Sequence, residues 1–288
     1  LWPPQLDLAL AYQEWVDRAD QLVDGSTRTD STGEILSTPS LLQHKKALDR
    51  IRSRALSPES NPPIFDDSKD AWWYRELSKL VGRIERFHHP VHGIAGDGIH
   101  PIHGWGVRRR LHYVQQQQAN HDRWQPSWQL ALQEISASGR YSKDLNISPQ
   151  EDLFPIGEDP DSGLWEFSHI PSGTIATRDR TGKLNLLPEM GVVLVLVPGA
   201  TSWIGSQARS KDLPHYDPAT EKWEGPPFQV TEEAYFLSKF EMTQAQWQRL
   251  TGSNPSGYGP SRLETPMNGT LYRWSGLHPV EQISWGDC

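Results

Sequence analysis

The spacing of apolar residues changes near residue 150 and divides the chain into a helical part and a strand-rich part. Up to that point, apolar residues recur at offsets of three, four, seven and eleven, which places them on one face of a helix. We predict one helix ending at Gly25, another beginning after an N-cap at Thr38 with Pro39 in its first turn, and a third stopping before Pro90. Two further stripes make five predicted helices. The five apolar faces are Leu8, Tyr12, Trp15, Ala19 and Leu22; Leu41, Leu48, Ile51 and Ala55; Trp73, Leu77, Leu80, Ile84 and Phe87; Val107, Leu111 and Val114; Trp124, Trp128, Ala131 and Ile135.

One-sided helices must bury their apolar faces against one another, so residues 1–150 are interpreted as a helical linker or docking region. The polar run 25–38 is predicted to be a loop. From residue 152 on, Pro and Gly interrupt short alternating runs, and residues 151–190 are interpreted as a β-rich connector. We detect no internal repeat.

Residues 191–288 are interpreted as the main domain, because the wholly apolar, β-branched run 191–197 predicts a buried strand. Residues 228–236 are also strand-like. Thr243 followed by Gln246 has the capping-box pattern that begins a helix, and Gly252 is predicted to end it.

Composition narrows the range of partners. The chain has 28 Lys and Arg against 36 Asp and Glu, a net charge of −8, which disfavours nucleic acid. Its longest apolar run is far shorter than the roughly 18 residues that a membrane-spanning helix needs. A single cysteine, Cys288, excludes an internal disulfide and fits a reducing compartment, which favours the cytoplasm.

Five histidines lie within sixteen residues and are candidate metal ligands: His88, His89, His92, His100 and His103. Imidazole suits zinc, iron or copper, but histidines in loops also remain solvated or cap backbone groups. Gly104 and Gly106 form a Gly-x-Gly without a preceding strand or a third glycine, so this segment is predicted to open a helix and not to hold phosphate.

Three motifs in order resemble the formylglycine-generating-enzyme (sulfatase-modifying-factor) family. The first is the run 191–206, Gly-Val-Val-Leu-Val-Leu-Val-Pro-Gly-Ala-Thr-Ser-Trp-Ile-Gly-Ser, which is similar to the family's first strand and its Pro-Gly-Gly, aromatic, Met-Gly-Ser turn. The second is Phe-Gln-Val at 228–230, followed by Phe-Leu-Ser-Lys-Phe-Glu-Met-Thr at 236–243 and by Trp247. The third is 278–288, His-Pro-Val-Glu-Gln-Ile-Ser-Trp-Gly-Asp-Cys. Ala200, Ile204, Met242 and Gln244 depart from the family pattern.

The resemblance implies an α+β chain in which a helical N-terminal region precedes a truncated C-type-lectin-like mixed α/β domain with much irregular structure. It also implies that the parent protein is a metal-dependent oxidase acting on a protein cysteine or a small thiol. Family members use copper held by two thiolates, or iron in related synthases, and bind calcium. No catalytic or cofactor-binding residue can be carried over to this chain, so we expect no cofactor within it.

Two residues of the third motif have their own expectations. Trp285 is predicted to be a core anchor. Cys288 is predicted to be a small core residue, with a reactive thiol at a helix N-terminus as the alternative.

A different class of function stays open, in which the complete domain is a non-catalytic, lectin-like binding or sensor module. The segment around Trp72 and Trp73, and the run 162–167, resemble the region that precedes this domain in large bacterial, often kinase-linked, proteins. No kinase motif is present in the sequence. Because Ser284 and Asp287 have the pattern that opens a helix with no body after it, we expect the chain to be a piece of a longer protein.

Overall fold

The computed structural model describes residues 4–260, 265–267 and 270–287 and has a mixed α+β architecture with several small antiparallel sheets. Its backbone forms two compact units. One takes in the chain up to His121 together with Leu250–Ser253, and the other takes in Asp122–Arg249 and the residues from Asn254 on. Among the described residues, no helix is both long and apolar enough to cross a bilayer.

The first unit is built mainly from helices. Its elements are α1 (Ala9–Asp24), β1 (Ser26–Thr29), β2 (Ile35–Thr38), α2 (Leu41–Arg52), α3 (Ser68–Phe87), β3 (Ile99–His100), β4 (Gly104–Trp105) and the first half of α4 (Val107–Ala137). The predicted helices ending at Gly25 and before Pro90 are confirmed as α1 and α3. Helix α4 begins directly after Gly106, which confirms that the Gly-x-Gly segment opens a helix.

The structure corrects two predictions between α1 and α2. Residues 25–38 are not a loop, because β1 and β2 form a hairpin whose turn is fixed by the Asp30 carboxylate, which accepts hydrogen bonds from the N–H groups of Thr32 and Glu34. Most of this hairpin is exposed, so its strands lack the alternation of apolar and polar residues that would indicate a strand. Helix α2 is capped by Ser40 and not by Thr38, since Ser40 and Gln43 form a complete capping box.

The last two predicted helices are one continuous helix, α4, with Pro126 in its interior. Proline removes one backbone hydrogen bond from a helix but does not have to end it. In the second unit, the part of α4 after Pro126 buries Trp128, Ala131 and Ile135. This packing accounts for the helix continuing through the proline.

The second unit is built around one four-stranded sheet. Its elements after α4 are β5 (Leu153–Glu158), β6 (Trp165–His169), β7 (Val193–Val197), β8 (Ala200–Ile204), β9 (Phe228–Glu232), β10 (Tyr235–Ser238), α5 (Gln244–Thr251), β11 (Thr265–Met267) and β12 (Thr270–Tyr272). The sheet order is β10-β7-β6-β5, all antiparallel, while β8 pairs with β9 and β11 pairs with β12 in two separate two-stranded antiparallel sheets. The predicted buried strand at 191–197 is confirmed as β7, and the strand-like run 228–236 is divided between β9 and β10.

The core of this unit lies between the sheet and the C-terminal half of α4. Its centre is Phe167, which is fully buried. The centroid of the Phe167 ring lies 5.2 Å from that of Trp128 and 5.2 Å from that of Phe236. The Tyr141 hydroxyl donates to the Leu196 carbonyl, so a polar group in this core is satisfied. Strands β5 and β6, from the predicted connector, belong to the same sheet as β7 and β10 from the predicted main domain.

Candidate functional site

The five candidate metal-ligating histidines lie at the end of α3 and in the glycine-rich segment between α3 and α4. His88 is the C-cap of α3, and its Nε2 lies 2.7 Å from the Ala19 carbonyl oxygen. The rings of His89 and His92 are stacked with centroids 5.3 Å apart. Those of His100 and His103 are stacked with centroids 4.6 Å apart. The structure therefore brings four of the five histidines together as two pairs, and His88 belongs to neither.

In each pair the first histidine caps a turn of the backbone. His89 Nδ1 accepts hydrogen bonds from the N–H groups of Val91 and His92, and His100 Nδ1 accepts from those of Ile102 and His103. The capping role that we kept as an alternative for loop histidines describes both residues.

The two turns also have nearly the same sequence, a similarity that the prediction of no internal repeat overlooked. Residues 89–93 are His-Pro-Val-His-Gly and residues 100–104 are His-Pro-Ile-His-Gly. A search for repeats of the length of a structural domain overlooks a pentapeptide, although the identical spacing of histidine, proline and glycine would have predicted two turns of similar geometry.

These hydrogen bonds leave few ligands for a metal. A neutral imidazole whose Nδ1 accepts a hydrogen bond carries its proton on Nε2, so neither nitrogen has a lone pair for a metal unless the turn opens. His88 donates from Nε2 to a carbonyl oxygen, and its Nδ1, 3.9 Å from Asp20 Oδ1, keeps a lone pair. Among the described residues, the imidazole nitrogens of His92 and His103 have no hydrogen-bond partner. In the described part of the chain, no group of three or more His, Cys, Asp or Glu side chains is placed to hold a metal ion.

A cluster of buried ionic side chains lies in the second unit, at the sheet. Glu166 on β6 is completely buried, and its two carboxylate oxygens lie 2.5 Å from Arg178 Nη2 and 2.5 Å from Lys239 Nζ. Lys239 also donates to Asp159 at 2.7 Å. A carboxylate with both oxygens bonded to cations is compensated, so this cluster has the character of an internal ion-pair network.

The pKa values in this cluster follow from burial and from its hydrogen bonds. Burial alone would raise the pKa of Asp159, but hydrogen bonds from Lys239 and Ser162 outweigh it and lower the pKa to about 2. For Lys239, burial lowers the pKa, but the bonds to Asp159 and Glu166 outweigh it and raise the pKa above its ordinary value. Asp159 and Lys239 are thus held in their charged forms over the neutral range of pH.

The three sequence motifs meet in the second unit. Strand β7 of the first motif pairs with β10 of the second, with Leu194 opposite Ser238. The second and third motifs are joined by backbone hydrogen bonds, since Gln244 N–H donates to the His278 carbonyl and Val280 N–H donates to the Met242 carbonyl, each at 2.9 Å.

The predicted capping box at the start of α5 is confirmed. Thr243 N–H donates to the Gln246 side chain, and Gln246 N–H donates to the Thr243 hydroxyl. The Gln244 amide, which stands where the family has Asn, is buried and donates to the carbonyls of Tyr258 and Pro279.

The expectation that Trp285 is a core anchor is wrong for the described structure. Trp285 begins a short 3₁₀ helix, Trp285–Asp287, and its side chain is 96% exposed. The prediction rested on the frequent burial of tryptophan rings, but a ring is buried only where other parts of the fold surround it. Cys288, with both of its expectations, lies outside the described residues.

The second unit also contains an apolar pocket of about 270 Å³ beside β7, lined by residues of the 186–193 segment, the 238–246 segment, Leu277 and Pro279. The fold and these features define a mixed α+β protein with an ion-paired sheet core and a small apolar pocket. Comparison of the chain with protein-family models, with curated proteins and with solved structures finds no match.

Proposed function

We propose that residues 191–288 are the N-terminal part of a formylglycine-generating-enzyme-like domain with a C-type-lectin-like fold, and that this part supplies scaffold. The observation that supports the proposal is the convergence of the three motifs in one unit, through β7 with β10 and through the hydrogen bonds of Gln244 and Val280. Three segments that matched the family by chance would not be expected to contact one another through backbone hydrogen bonds.

In this proposal the parent protein is a metal-dependent oxidase of a protein cysteine or a small thiol. Copper(I) prefers paired sulfur ligands, and this chain has only Cys288, so the metal would be held by residues outside it. The contribution of these 288 residues is then to position the strand and helix on which such a site is built.

A non-catalytic binding module is the second candidate, and exposed aromatic side chains favour it. Trp203 on β8 and Phe228 on β9 are 50% and 54% exposed, and Trp223, in the segment that connects these strands, is 80% exposed. Exposed aromatic groups gathered in one segment are typical of a surface that another molecule or another part of the protein covers.

The experiment is to incubate the 288-residue protein, and separately the protein encoded by the complete reading frame, with copper(I), oxygen and a cysteine-containing sulfatase peptide. Aldehyde formation is followed with a hydroxylamine probe. We expect none from the 288-residue protein, and aldehyde formation by the complete protein would support the oxidase. A complete protein that folds and loads copper without forming aldehyde would favour the binding module.

Cys288→Ser in the complete protein is the matched control, and we expect it to retain activity because the motif containing Cys288 has no active-site role in the family. Conversion of the peptide by the 288-residue protein itself would contradict the scaffold role.

A further inference from the structure

The apolar pocket beside β7 extends from the surface to the core of the second unit. Its walls include Met190, Val192 and Val193, which are only 5%, 7% and 2% exposed, so the pocket reaches the buried core of the second unit. Its volume of about 270 Å³ exceeds the roughly 150 Å³ of an apolar cavity that can hold benzene. A chain of about six carbons or one aromatic ring therefore fits.

Polar groups around this pocket are already engaged within the protein. The Gln246 amide donates to the Met190 carbonyl, and the Ser238 hydroxyl donates to the Phe240 carbonyl. The Thr243 hydroxyl accepts the Gln246 N–H. Because these groups already form hydrogen bonds within the protein, the apolar part of a ligand would bind mainly through removal of apolar surface from water.

The charge at this pocket comes from Glu241. It is the single charged residue that lines the pocket, its side chain is exposed, and it has no ion-pair or hydrogen-bond partner among the residues that the structure describes. A carboxylate beside an apolar cavity, with no cation in the lining, complements a ligand that is apolar at one end and positively charged at the other.

We propose that this pocket binds a small amphiphilic cation, with an aliphatic or single-ring body between β7 and α5 and an ammonium group at Glu241. The site is built by residues described here and does not depend on the oxidase or binding-module assignment.

The test uses hexylammonium as the probe, with hexan-1-ol as its neutral analogue and hexanoate as its anionic analogue, in NMR titrations of the 288-residue protein. We expect saturable binding of hexylammonium, about two- to five-fold tighter than that of hexan-1-ol, as an exposed ion pair provides. Hexanoate should bind more weakly than hexan-1-ol. The preference for the cation should shrink in high salt.

Two variants locate the site, and each has a matched control. Glu241→Gln should make hexylammonium and hexan-1-ol equal, whereas Glu233→Gln, an exposed carboxylate outside the lining, should leave the preference unchanged. Leu187→Ser should weaken all the probes about five-fold through loss of apolar contact. Leu36→Ser, also at an exposed leucine, should leave them unchanged.

Four results would overturn the inference: no saturable binding, equal affinity for the three probes, a cation preference that survives Glu241→Gln, or binding that Leu187→Ser does not weaken. Circular dichroism of each variant shows that it is folded, so a lost signal reports the pocket and not unfolding.

Discussion

Glu166 is the residue that joins the two cations of the buried ion-pair network in the second unit. Its carboxylate is completely buried between Arg178 and Lys239, where an uncompensated charge would be very costly. Removing one member of a buried ion pair is more harmful than replacing the whole pair, because the remaining charges lose their partner.

We expect Glu166→Gln to lower the free energy of unfolding by about 3 kcal/mol, since two cations lose the carboxylate that compensates them. Urea unfolding followed by tryptophan fluorescence measures the change. Glu232→Gln, at an exposed carboxylate on β9, is the control and should stay within about 0.5 kcal/mol of the unchanged protein. An equal effect of the two substitutions would mean that the buried network contributes nothing.

Asp159 makes the free energy of unfolding depend on pH in the acid range. Its pKa in the folded protein is about 2, below its ordinary value of 3.8, so its carboxylate contributes stability that is fully present above that ordinary value. This contribution should be lost as the pH falls from about 4 to about 2. We therefore expect Asp159→Asn to reduce the slope of unfolding free energy against pH within this window, measured by urea unfolding at a series of pH values. An unchanged slope would contradict the assignment.

At the scale of elements, the glycine-rich segment between α3 and α4 folds by close approach of its own backbone. A Cβ atom on Gly106 would lie 2.1 Å from the Gly96 carbonyl oxygen, a distance that no side chain tolerates. The His89 turn belongs to the same segment and also requires glycine, since a Cβ atom on Gly93 would lie 2.5 Å from the His89 backbone nitrogen.

We expect Gly106→Ala to destabilise the first unit by about 2–4 kcal/mol, because the backbone itself must move. Gly82→Ala is the matched control within α3, where the nearest atom to a new Cβ is the end of the flexible Arg86 side chain at 3.4 Å. It should stabilise the protein by about 0.5–1 kcal/mol through helix propensity. Thermal unfolding of the two variants measures both effects, and destabilisation by Gly82→Ala would contradict the comparison.

At the scale of the whole molecule, the central sheet combines segments that the sequence analysis placed in different domains. Strand β7 lies between β6 from residues 151–190 and β10 from the residues that follow. Lys239 likewise meets Asp159 and Glu166 from the earlier segment.

A polypeptide of residues 191–288 should therefore not fold by itself, because β7 loses a hydrogen-bonded neighbour and Lys239 loses both carboxylates. Residues 122–288, which include the C-terminal half of α4 together with β5 and β6, should retain a cooperative unfolding transition. Circular dichroism during heating distinguishes them, and a cooperative transition of the shorter polypeptide would show that the sheet does not need its first two strands.

Local sequence determined the elements that a short stretch of chain can specify. Helices α1 and α3 follow from apolar residues at helical spacing, β7 from a run of β-branched residues, and the start of α5 from the Thr243–Gln246 capping box. The exposed hairpin of β1 and β2 has no such pattern, and the continuation of α4 through Pro126 depends on what the helix packs against.

Only the tertiary structure decided which charged side chains pair and which residues line the pocket. Glu166 and Lys239 are 73 residues apart in the chain, and the pocket combines Leu187, Glu241 and Leu277, which lie in three separate segments. It also decided that Trp285 is exposed and that His89 and His100 cap turns. The physical reason is that local conformation depends on neighbours in sequence, whereas burial, ion pairing and pocket shape depend on neighbours in space.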